Sequence, residues 1–207
     1  MVRLQVQKVL KRYGRLRVFR DLEAEVRSGQ VLVLAGRNGS GKSTLLRIIA
    51  GLARPTRGRV VFYQDDRALG NEERRRLIGL VALDVAIYGE LTAWENLSFF
   101  ARVRGLRLAP EEGARLLSDV GLGGRGDDLA QTYSSGMRQR LKYACGLLHR
   151  PPFLLLDEPG AGLDEAGRTM VERLIAQQRE RGLVVLATNE PREVAYGDIV
   201  LHLEERP

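Results

Sequence analysis

The segment 36–44 constrains this chain more than any other feature, because its residues suit a loop that wraps around phosphate groups. It reads G-R-N-G-S-G-K-S-T and fits the pattern G-x-x-x-x-G-K-[ST]. Its glycines let backbone N–H groups turn towards phosphate oxygens, while Lys42 offers a cation and Ser43 a hydroxyl for Mg²⁺. The apolar run 30–35 precedes the loop, and apolar residues at helical spacing follow it. The sequence therefore predicts a strand, a phosphate-binding loop and a helix that together bind a nucleoside triphosphate.

Composition excludes several classes of protein. A chain of 207 residues with 44% hydrophobic and 29% charged residues predicts one globular α/β domain. No apolar run reaches the ~18 residues that would span a bilayer, and the N-terminus lacks the apolar block of a signal peptide. The single cysteine, Cys145, lies in an apolar stretch. It excludes an internal disulfide framework, fits the cytosol and predicts a core residue.

The net charge of +7 raises the question of a nucleic-acid partner. The basic residues, 29 Arg and 4 Lys, are spread along the chain. The local clusters 15–17 and 74–76 have no interleaved aromatic residues and predict solvated faces. We therefore expect no nucleic-acid partner, while contact with an acidic membrane protein stays open.

Periodicity predicts strands that alternate with helices. We expect strands at 3–9, 22–26, 31–34, 60–63, 78–83, 153–156, 184–187 and 199–203. We expect helices at 93–104, 111–120, 134–148 and 166–181. This order favours a largely parallel sheet with helices on its faces, and the helical stretch in the middle of the chain predicts a sub-domain.

Two acidic residues end the predicted strand in 153–156. Asp157 at the tip of the strand is suited to hold Mg²⁺ through its water shell, and Glu158 is suited to orient or deprotonate an attacking water. A pair of acids at the end of a strand is a weak signal by itself. Behind a phosphate-binding loop, with a sheet to bring both to one edge, it predicts a hydrolytic site.

A third motif, Tyr133-Ser134-Ser135-Gly136-Met137, opens the long helix that leads to this strand. Hydroxyls and free N–H groups at a helix N-terminus can bind an anion. By residue type alone the segment could equally be an ordinary helix cap. Its position favours the anion site, because Gly136 precedes Asp157 by the length of one helix and a turn.

With these three motifs the sequence resembles the ATP-binding subunits of ABC transporters, and the resemblance covers essentially the whole chain. The segment 36–44 matches their Walker A motif and 153–158 their Walker B motif, while 134–137 looks like a variant of their LSGGQ signature. The segment 161–164 resembles their D-loop. The resemblance implies an α/β fold, a P-loop NTPase cassette of the ABC ATPase type with a mixed sheet core and a helical sub-domain. Residues 1–207 would form one domain, with the core at about 1–83 and 151–207 and the sub-domain at about 84–150.

The resemblance also implies roles for individual residues. Tyr13, in the loop-like context Arg12-Tyr13-Gly14, would stack on adenine, Glu158 would be the catalytic glutamate, and ATP with Mg²⁺ would be bound. The implied metal-site residues are Ser43, Asp157 and Asp84. The other implied nucleotide-binding residues are Gly36, Arg37, Asn38, Gly39, Ser40, Gly41, Lys42, Ser43 and Thr44 from the loop, and Ser134, Ser135, Gly136 and Met137 from the signature.

The chain departs from the family pattern at two positions. The family's glutamine after the strand 78–83 has Leu83 and Asp84 as its counterparts, and only Asp84 could bind Mg²⁺ or its waters. The family's histidine after the strand 184–187 is replaced by Asn189, which we assign as the second catalytic residue. Asparagine can hydrogen-bond a phosphate but cannot carry a positive charge.

By the same resemblance we expect a head-to-tail homodimer with two shared ATP sites and a membrane subunit that docks on a helical segment near 84–105. Such a chain would be cytoplasmic and peripheral on the inner face of the cell membrane. Because the sequence stops at Pro207, soon after the last predicted strand, we expect no C-terminal regulatory domain. Its size and its L-T-A-W-E-N-L segment resemble exporter subunits, above all the haem-exporter ATPases of cytochrome c maturation. The alternatives are a soluble ABC ATPase acting on nucleic acid or ribosomes, and a weakly hydrolysing regulatory cassette.

Overall fold

The computed structural model describes residues 1–203. The expectation about the end of the chain at Pro207 lies outside the described residues. The strands are β1 (Val2–Tyr13), β2 (Leu16–Arg27), β3 (Val31–Ala35), β4 (Arg57–Gln64), β5 (Arg67–Ala68), β6 (Ile78–Val81), β7 (Phe153–Asp157), β8 (Leu183–Thr188) and β9 (Ile199–His202). The α-helices are α1 (Lys42–Ala50), α2 (Asn71–Leu77), α3 (Ala93–Val103), α4 (Pro110–Asp119), α5 (Ser135–Leu147), α6 (Glu165–Arg179) and α7 (Pro191–Val194).

The chain divides into two compact units. The first contains Met1–Leu80, Pro152–Pro159 and the chain from Gln177 onward, and the second contains Val81–Pro151 and Gly160–Ala176. The segment Gly160–Ala176 therefore belongs with the mostly helical unit, although the predicted boundaries assigned it to the core.

The first unit holds an antiparallel sheet with the strand order β2-β1-β4-β5. Strand β1 pairs antiparallel with β2 on one side and with β4 on the other. Alternate residues of β1, among them Val2, Leu4 and Val6, are buried, as expected for a strand with one face on a core. The expectation of a largely parallel sheet was therefore wrong for this part of the chain, where two long strands joined by a tight turn pair most simply as a hairpin.

The second sheet of the first unit has the order β6-β7-β8-β3-β9, and β3 pairs parallel with both β8 and β9. Residues of β3 and β8 are buried throughout, as in a parallel sheet covered on both faces. Helix α1 packs its apolar side chains, such as Leu45 and Ile49, into the same core. These long apolar runs are why the sequence predicted the central strands correctly.

The second unit is built mainly from helices α3, α4 and α5, with α5 in contact with both of the others. Thr92 caps α3: its side chain accepts a hydrogen bond from the backbone N–H of Glu95, and the Glu95 carboxylate accepts one from the N–H of Thr92. Cys145 is buried on α5, and burial raises the pKa of its thiol to about 12. The cysteine is a core residue, as predicted.

The short elements β5, α2 and α7 were not predicted, because they carry little apolar periodicity. Of the arginines in 74–76, Arg75 and Arg76 are exposed as predicted. Arg74 is not simply solvated, because its guanidinium lies 5.5 Å from the ring centroid of Phe62. Burial lowers the pKa of Arg74, and the charge of Arg75 lowers it further. None of the helices within residues 1–203 has the length and apolarity that crossing a membrane requires.

Candidate functional site

The loop 36–41 connects the end of β3 to the start of α1. The residue before α1, Gly41, has φ 103 and offers no side chain to cap the helix. A Cβ atom at Gly41 would lie 2.5 Å from Cγ1 of Val18. Glycine is therefore required both by the left-handed backbone and by the lack of space. Within the described residues no side chain caps α1, so its first N–H groups point to a site for an anion.

Ser40 gives a structural test of whether phosphate fits this loop. Its side chain is 2% exposed, and its Oγ atom has no hydrogen-bond partner within residues 1–203. Buried hydroxyls are normally hydrogen-bonded, so this one calls for a partner. A Cβ at Gly36 would lie 2.7 Å from Ser40 Oγ, which explains why glycine stands there. The loop therefore offers backbone donors and an unsatisfied hydroxyl, a combination that fits a triphosphate.

Lys42 places a buried cation beside the loop. Its side chain is 5% exposed, and Nζ lies 2.8 Å from the carbonyl oxygen of Gly36 and 3.2 Å from that of Arg37. The third oxygen around Nζ is Oε1 of Glu158, at 3.3 Å. An ammonium group has three donors, so these oxygens satisfy it. A phosphate oxygen that bound Lys42 would compete with Glu158, because both are anions.

Ser43 and Asp157 bring two oxygen ligands together in the first unit. The hydroxyl of Ser43 donates to Oδ1 of Asp157 over 3.0 Å. The described part of the chain contains no group of three His, Cys, Asp or Glu side chains that could hold a metal. Mg²⁺ in phosphate sites needs only one or two protein ligands besides phosphate and water, so the pair fits it. Asp84 belongs to the second unit, and its part in binding Mg²⁺ remains a prediction.

The register of the parallel sheet places three functional segments at one edge. Asp157 pairs with Ala187, and Ala35 pairs with Thr188. The chain continues from these residues into the loop 36–41, into Glu158 and into Asn189. The carboxyl edge of the parallel strands, where such sheets bind ligands, therefore carries all three segments.

Glu158 and Asn189 differ in how firmly they are held at this edge. The backbone of Glu158 has φ 47, a left-handed conformation uncommon for a non-glycine residue, and its N–H donates to the carbonyl of Ala187 over 2.8 Å. Asn189 is exposed and lines a pocket of about 460 Å³ with Gly36, Arg37, Asn38, Thr188 and Val194. The asparagine therefore lies beside the phosphate loop, and its catalytic role remains a prediction.

Tyr13 is the last residue of β1 and pairs with Leu16 across the turn, so the loop-like surroundings expected for it were wrong. A two-residue connection of Gly14 and Arg15 suffices because Gly14 adopts φ 59. The tyrosine is 55% exposed, and Nζ of Lys11 lies 4.5 Å from its ring centroid. The ring is accessible to a planar partner, and stacking on adenine remains a prediction.

The signature segment forms the N-terminus of α5 in the second unit. Ser134 caps the helix, and its Oγ accepts a hydrogen bond from the N–H of Met137 over 3.2 Å. Gly136 approaches the segment 161–164 closely, since a Cβ there would lie 3.3 Å from the carbonyl oxygen of Gly162. The Arg140 guanidinium donates to Oδ1 of Asp164 over 2.6 Å. The signature and the predicted D-loop are thus held together within one unit.

The predicted docking segment differs from the expectation in its first part. Residues 84–92 form turns and extended backbone, and the helix begins only at Ala93, after its Thr92 cap. Trp94 packs against α4, because a Cβ at Gly113 would lie 1.9 Å from Cζ3 of the indole. The tryptophan therefore packs within the second unit and does not present its whole ring as an exposed docking surface.

This segment also carries an aromatic cluster of Tyr88, Phe99 and Phe100 that was not predicted from the sequence. The ring centroid of Phe99 lies 4.9 Å from that of Tyr88 and 5.4 Å from that of Phe100. Tyr88 and Phe99 are 43% and 39% exposed. Buried Asn96 holds the loop in place: its amide exchanges two hydrogen bonds with the backbone N–H and C=O of Tyr88. The asparagine of the L-T-A-W-E-N-L segment was a signal that could have revealed this anchor.

Comparison with known proteins places this geometry in a family. Residues 19–161 match the protein family described as ABC transporter. The chain is 32% identical over 194 residues to the linearmycin resistance ATP-binding protein LnrL of Bacillus subtilis (strain 168), covering 92% of this chain and 62% of that protein. It is 33% identical over 202 residues to the cytochrome c biogenesis ATP-binding export protein CcmA of Mannheimia succiniciproducens, covering 98% of this chain and 94% of that protein.

A solved structure agrees with the fold. The dimeric post-hydrolysis state of the ATP-binding cassette MJ0796, bound to ADP and Pi, superposes with a TM-score of 0.82 at 26% identity and covers 97% of this chain and 94% of that one. The chain belongs to the ABC transporter ATP-binding family, and the predicted fold class is confirmed. Members of this family are ATPases that bind ATP, typically with Mg²⁺. The chain spans 62% of the length of LnrL.

Proposed function

We propose that this chain binds ATP with Mg²⁺, hydrolyses it, and serves as the ATP-binding subunit of an ABC transporter. The observation that carries the proposal is the convergence of Lys42, Ser43, Asp157 and Glu158 at the edge where the parallel strands end. Each has the chemistry that one part of a hydrolytic phosphate site needs, and they come from two segments more than a hundred residues apart.

Each residue of the site has a separate role in the proposed reaction. Backbone N–H groups of the loop 36–41 and the Ser40 hydroxyl bind phosphate oxygens. Lys42 leaves its ion pair with Glu158 and binds a phosphate oxygen instead. Ser43 and Asp157 would hold Mg²⁺, which would supply positive charge to balance that of the phosphate groups. Glu158, released from Lys42, orients a water and accepts its proton, while Asn189 hydrogen-bonds a phosphate oxygen.

We further infer a head-to-tail homodimer with two ATP sites. The cassette MJ0796, similar over 97% of this chain, is a dimer in its ADP- and Pi-bound structure. In such a dimer Ser134, Ser135, Gly136 and Met137 of one copy would complete the site at Lys42 of the other, with Tyr13 against adenine. ATP would bind the closed dimer more tightly than the open state, and this difference in binding free energy would drive the conformational change of the transporter.

The docking surface that we propose for a membrane subunit is the aromatic cluster of Tyr88, Phe99 and Phe100 with its surroundings. Half-exposed aromatic rings held by a buried anchor suit a protein interface. A chain that docks there would be cytoplasmic and peripheral on the inner face of the membrane. Charge reversal at exposed Glu90 probes the same surface, whereas charge reversal at Glu95 would also remove a hydrogen bond from the cap of α3.

For the cargo, the cytochrome c biogenesis ATP-binding export protein CcmA of Mannheimia succiniciproducens, 33% identical over 202 residues, supports export. Haem is the cargo that the sequence resemblance favours. The resistance protein LnrL is nearly as similar, so drug export is an equal competitor. A second candidate is a weakly hydrolysing regulatory cassette, because Asn189 replaces the family's histidine and neither Leu83 nor Asp84 is the family's glutamine.

Glu158→Gln tests the proposed function. The variant keeps the size and hydrogen bonding of the side chain but removes the base, so hydrolysis should fall by about 10²–10⁴-fold while ATP binding persists. An ATP-bound dimer should then accumulate in size-exclusion chromatography with ATP and Mg²⁺. The matched control is Glu180→Gln, which removes the same charge from an exposed site of the first unit. A Glu158→Gln variant that stays monomeric and turns over ATP at the normal rate would refute the assignment.

A further inference from the structure

A cavity of about 390 Å³ in the second unit joins an apolar wall to a charged one. Leu83, Val85 and Ile87 contribute apolar atoms. The polar wall is one face of α5, with Ser135, Arg138, Gln139 and Lys142, and Ala161 and Gly162 complete the lining. Val85 and Ile87 belong to the segment on which we expect the membrane subunit to dock. The cavity is therefore a part of that surface with its own distinct chemistry.

The two cations on this wall are one helical turn apart and incompletely neutralised. Arg138 uses one N–H on the carbonyl of Tyr133, and Lys142 uses one on the carbonyl of Leu83. Burial lowers the pKa of Lys142, the nearby charge of Asp84 raises it, and the charge of Arg138 lowers it again. Within residues 1–203, Asp84 is the carboxylate whose charge acts on Lys142, and each cation has more N–H donors than its one hydrogen bond uses. The cavity consequently favours an anion.

Gln139 supplies an independent observation. Its side chain is only 5% exposed, and its Nε2 atom has no hydrogen-bond partner within the described residues 1–203. A buried amide donor without an acceptor is costly, and such groups in native proteins call for a missing partner. Because Gln139 lines the same cavity as the two cations, an acceptor placed there would serve all three side chains.

We propose that this cavity receives an aspartate or glutamate side chain of the membrane subunit, with an apolar residue beside it against Leu83, Val85 and Ile87. The proposal rests on the proposed function, since it names the chemistry of the partner at that docking surface. A carboxylate offers acceptors to Arg138, Gln139 and Lys142 together. A phosphate dianion suits the cavity less well, because half of the wall is apolar and Asp84 lies near Lys142.

The direct test is a titration of the purified chain with N-acetyl-leucyl-glutamate amide, followed by NMR. The side-chain amide signals of Gln139 should shift in a saturable manner as its Nε2–H gains an acceptor. The matched probe N-acetyl-leucyl-glutamine amide, which lacks only the charge, should bind at least about fivefold more weakly. Inorganic phosphate is the third probe. Equal binding of the two peptides, or tighter binding of phosphate, would overturn the proposal.

Two variants separate a binding site from a merely structural cluster. Lys142→Met keeps the length of the side chain and should weaken binding of the glutamate peptide about tenfold. Arg168→Met, an equal loss of charge at an exposed position of α6, should leave binding unchanged. Gln139→Met should unfold at the same or higher temperature, because it removes a buried unsatisfied amide, and should still bind the peptide more weakly. A Gln139→Met variant that is less stable and binds normally would contradict the proposal.

The same samples distinguish this failure from failure of the proposed function. ATP affinity is measured on each protein by calorimetry. A chain that binds ATP but not the glutamate peptide leaves the ATPase assignment intact and refutes the pocket. A chain that binds the peptide but not ATP refutes the ATPase assignment and leaves the pocket as a carboxylate site.

Discussion

The N-termini of α1 and α5 are both candidate phosphate sites, yet they are built in different ways. At α1 the cap is Gly41, without a side chain, and a buried cation, Lys42, begins the helix. At α5 the cap is Ser134, whose hydroxyl already accepts the N–H of Met137. The first terminus keeps its donors for a ligand, whereas the second satisfies one of its own. Helix α1 therefore begins with unused N–H donors, whereas the first turn of α5 is capped by its own chain, as in a stable helix end.

The largest expected effect comes from Lys42, which belongs to the terminus with unused N–H donors. Lys42→Ala removes a buried cation and leaves Glu158 without its ion-pair partner, so ATP should bind at least about 30-fold more weakly, corresponding to ~2 kcal/mol or more. Calorimetric titration with ATP and Mg²⁺ measures this. Arg168→Ala, in the second unit, is the control. ATP affinity unchanged by Lys42→Ala would mean that the two termini do not differ as argued.

A smaller effect is expected at the sheet edge beside α1. If a charge contact to the transition state is missing at position 189, Asn189→His should raise turnover by up to roughly tenfold, corresponding to ~1.4 kcal/mol of barrier. Steady-state rates at saturating ATP and Mg²⁺ decide the matter. The side chain is exposed, so the larger ring has room. A rate that is unchanged or lower would show that the site has adapted around asparagine.

The smallest effect is expected at α5, and it should appear in stability rather than in affinity. Ser134→Ala removes the helix cap and should lower the free energy of unfolding by ~1 kcal/mol. We expect the ATP affinity of the monomer to stay the same, because the phosphate loop at Lys42 belongs to the first unit and Ser134 to the second. Chemical denaturation and calorimetry of the same sample measure both quantities. A weaker ATP affinity in monomeric Ser134→Ala would break the comparison.

Parts of the candidate site could be predicted from the sequence because the signals are local. The spacing of the glycines in the loop 36–44 predicts its backbone conformation. The apolar strands that precede Lys42 and Asp157 predict that both residues lie at the carboxyl edge of a parallel sheet. The cap at Ser134 could likewise be read from residue type. Cys145 was correctly predicted to lie in the core, because a free cysteine in an apolar run behaves as a small hydrophobic residue.

Other features depended on long-range pairing. The β1–β2 hairpin, which takes Tyr13 out of the expected loop, forms because two strands meet in register, and periodicity within either strand carries no record of its partner. Periodicity predicted the helix that begins at Ala93, and the resemblance extended the helical segment back to about residue 84. Residues 84–92 are instead turns and extended backbone, and Asn96 holds the turn at Tyr88 through hydrogen bonds that span eight residues. Arg74 was expected in solvent and instead lies near the ring of Phe62, a contact between segments.

The sequence by itself determined the phosphate loop, the acidic strand end and the membership of a P-loop family, because each rests on residues adjacent in the chain. Only the tertiary structure decided that Lys42 pairs with Glu158, that Ser43 meets Asp157 and that Gln139 is buried beside two cations. These are contacts between side chains whose distances follow from sheet register and helix packing. A linear pattern specifies which groups are present, and the fold specifies which of them satisfy one another and which still need a partner.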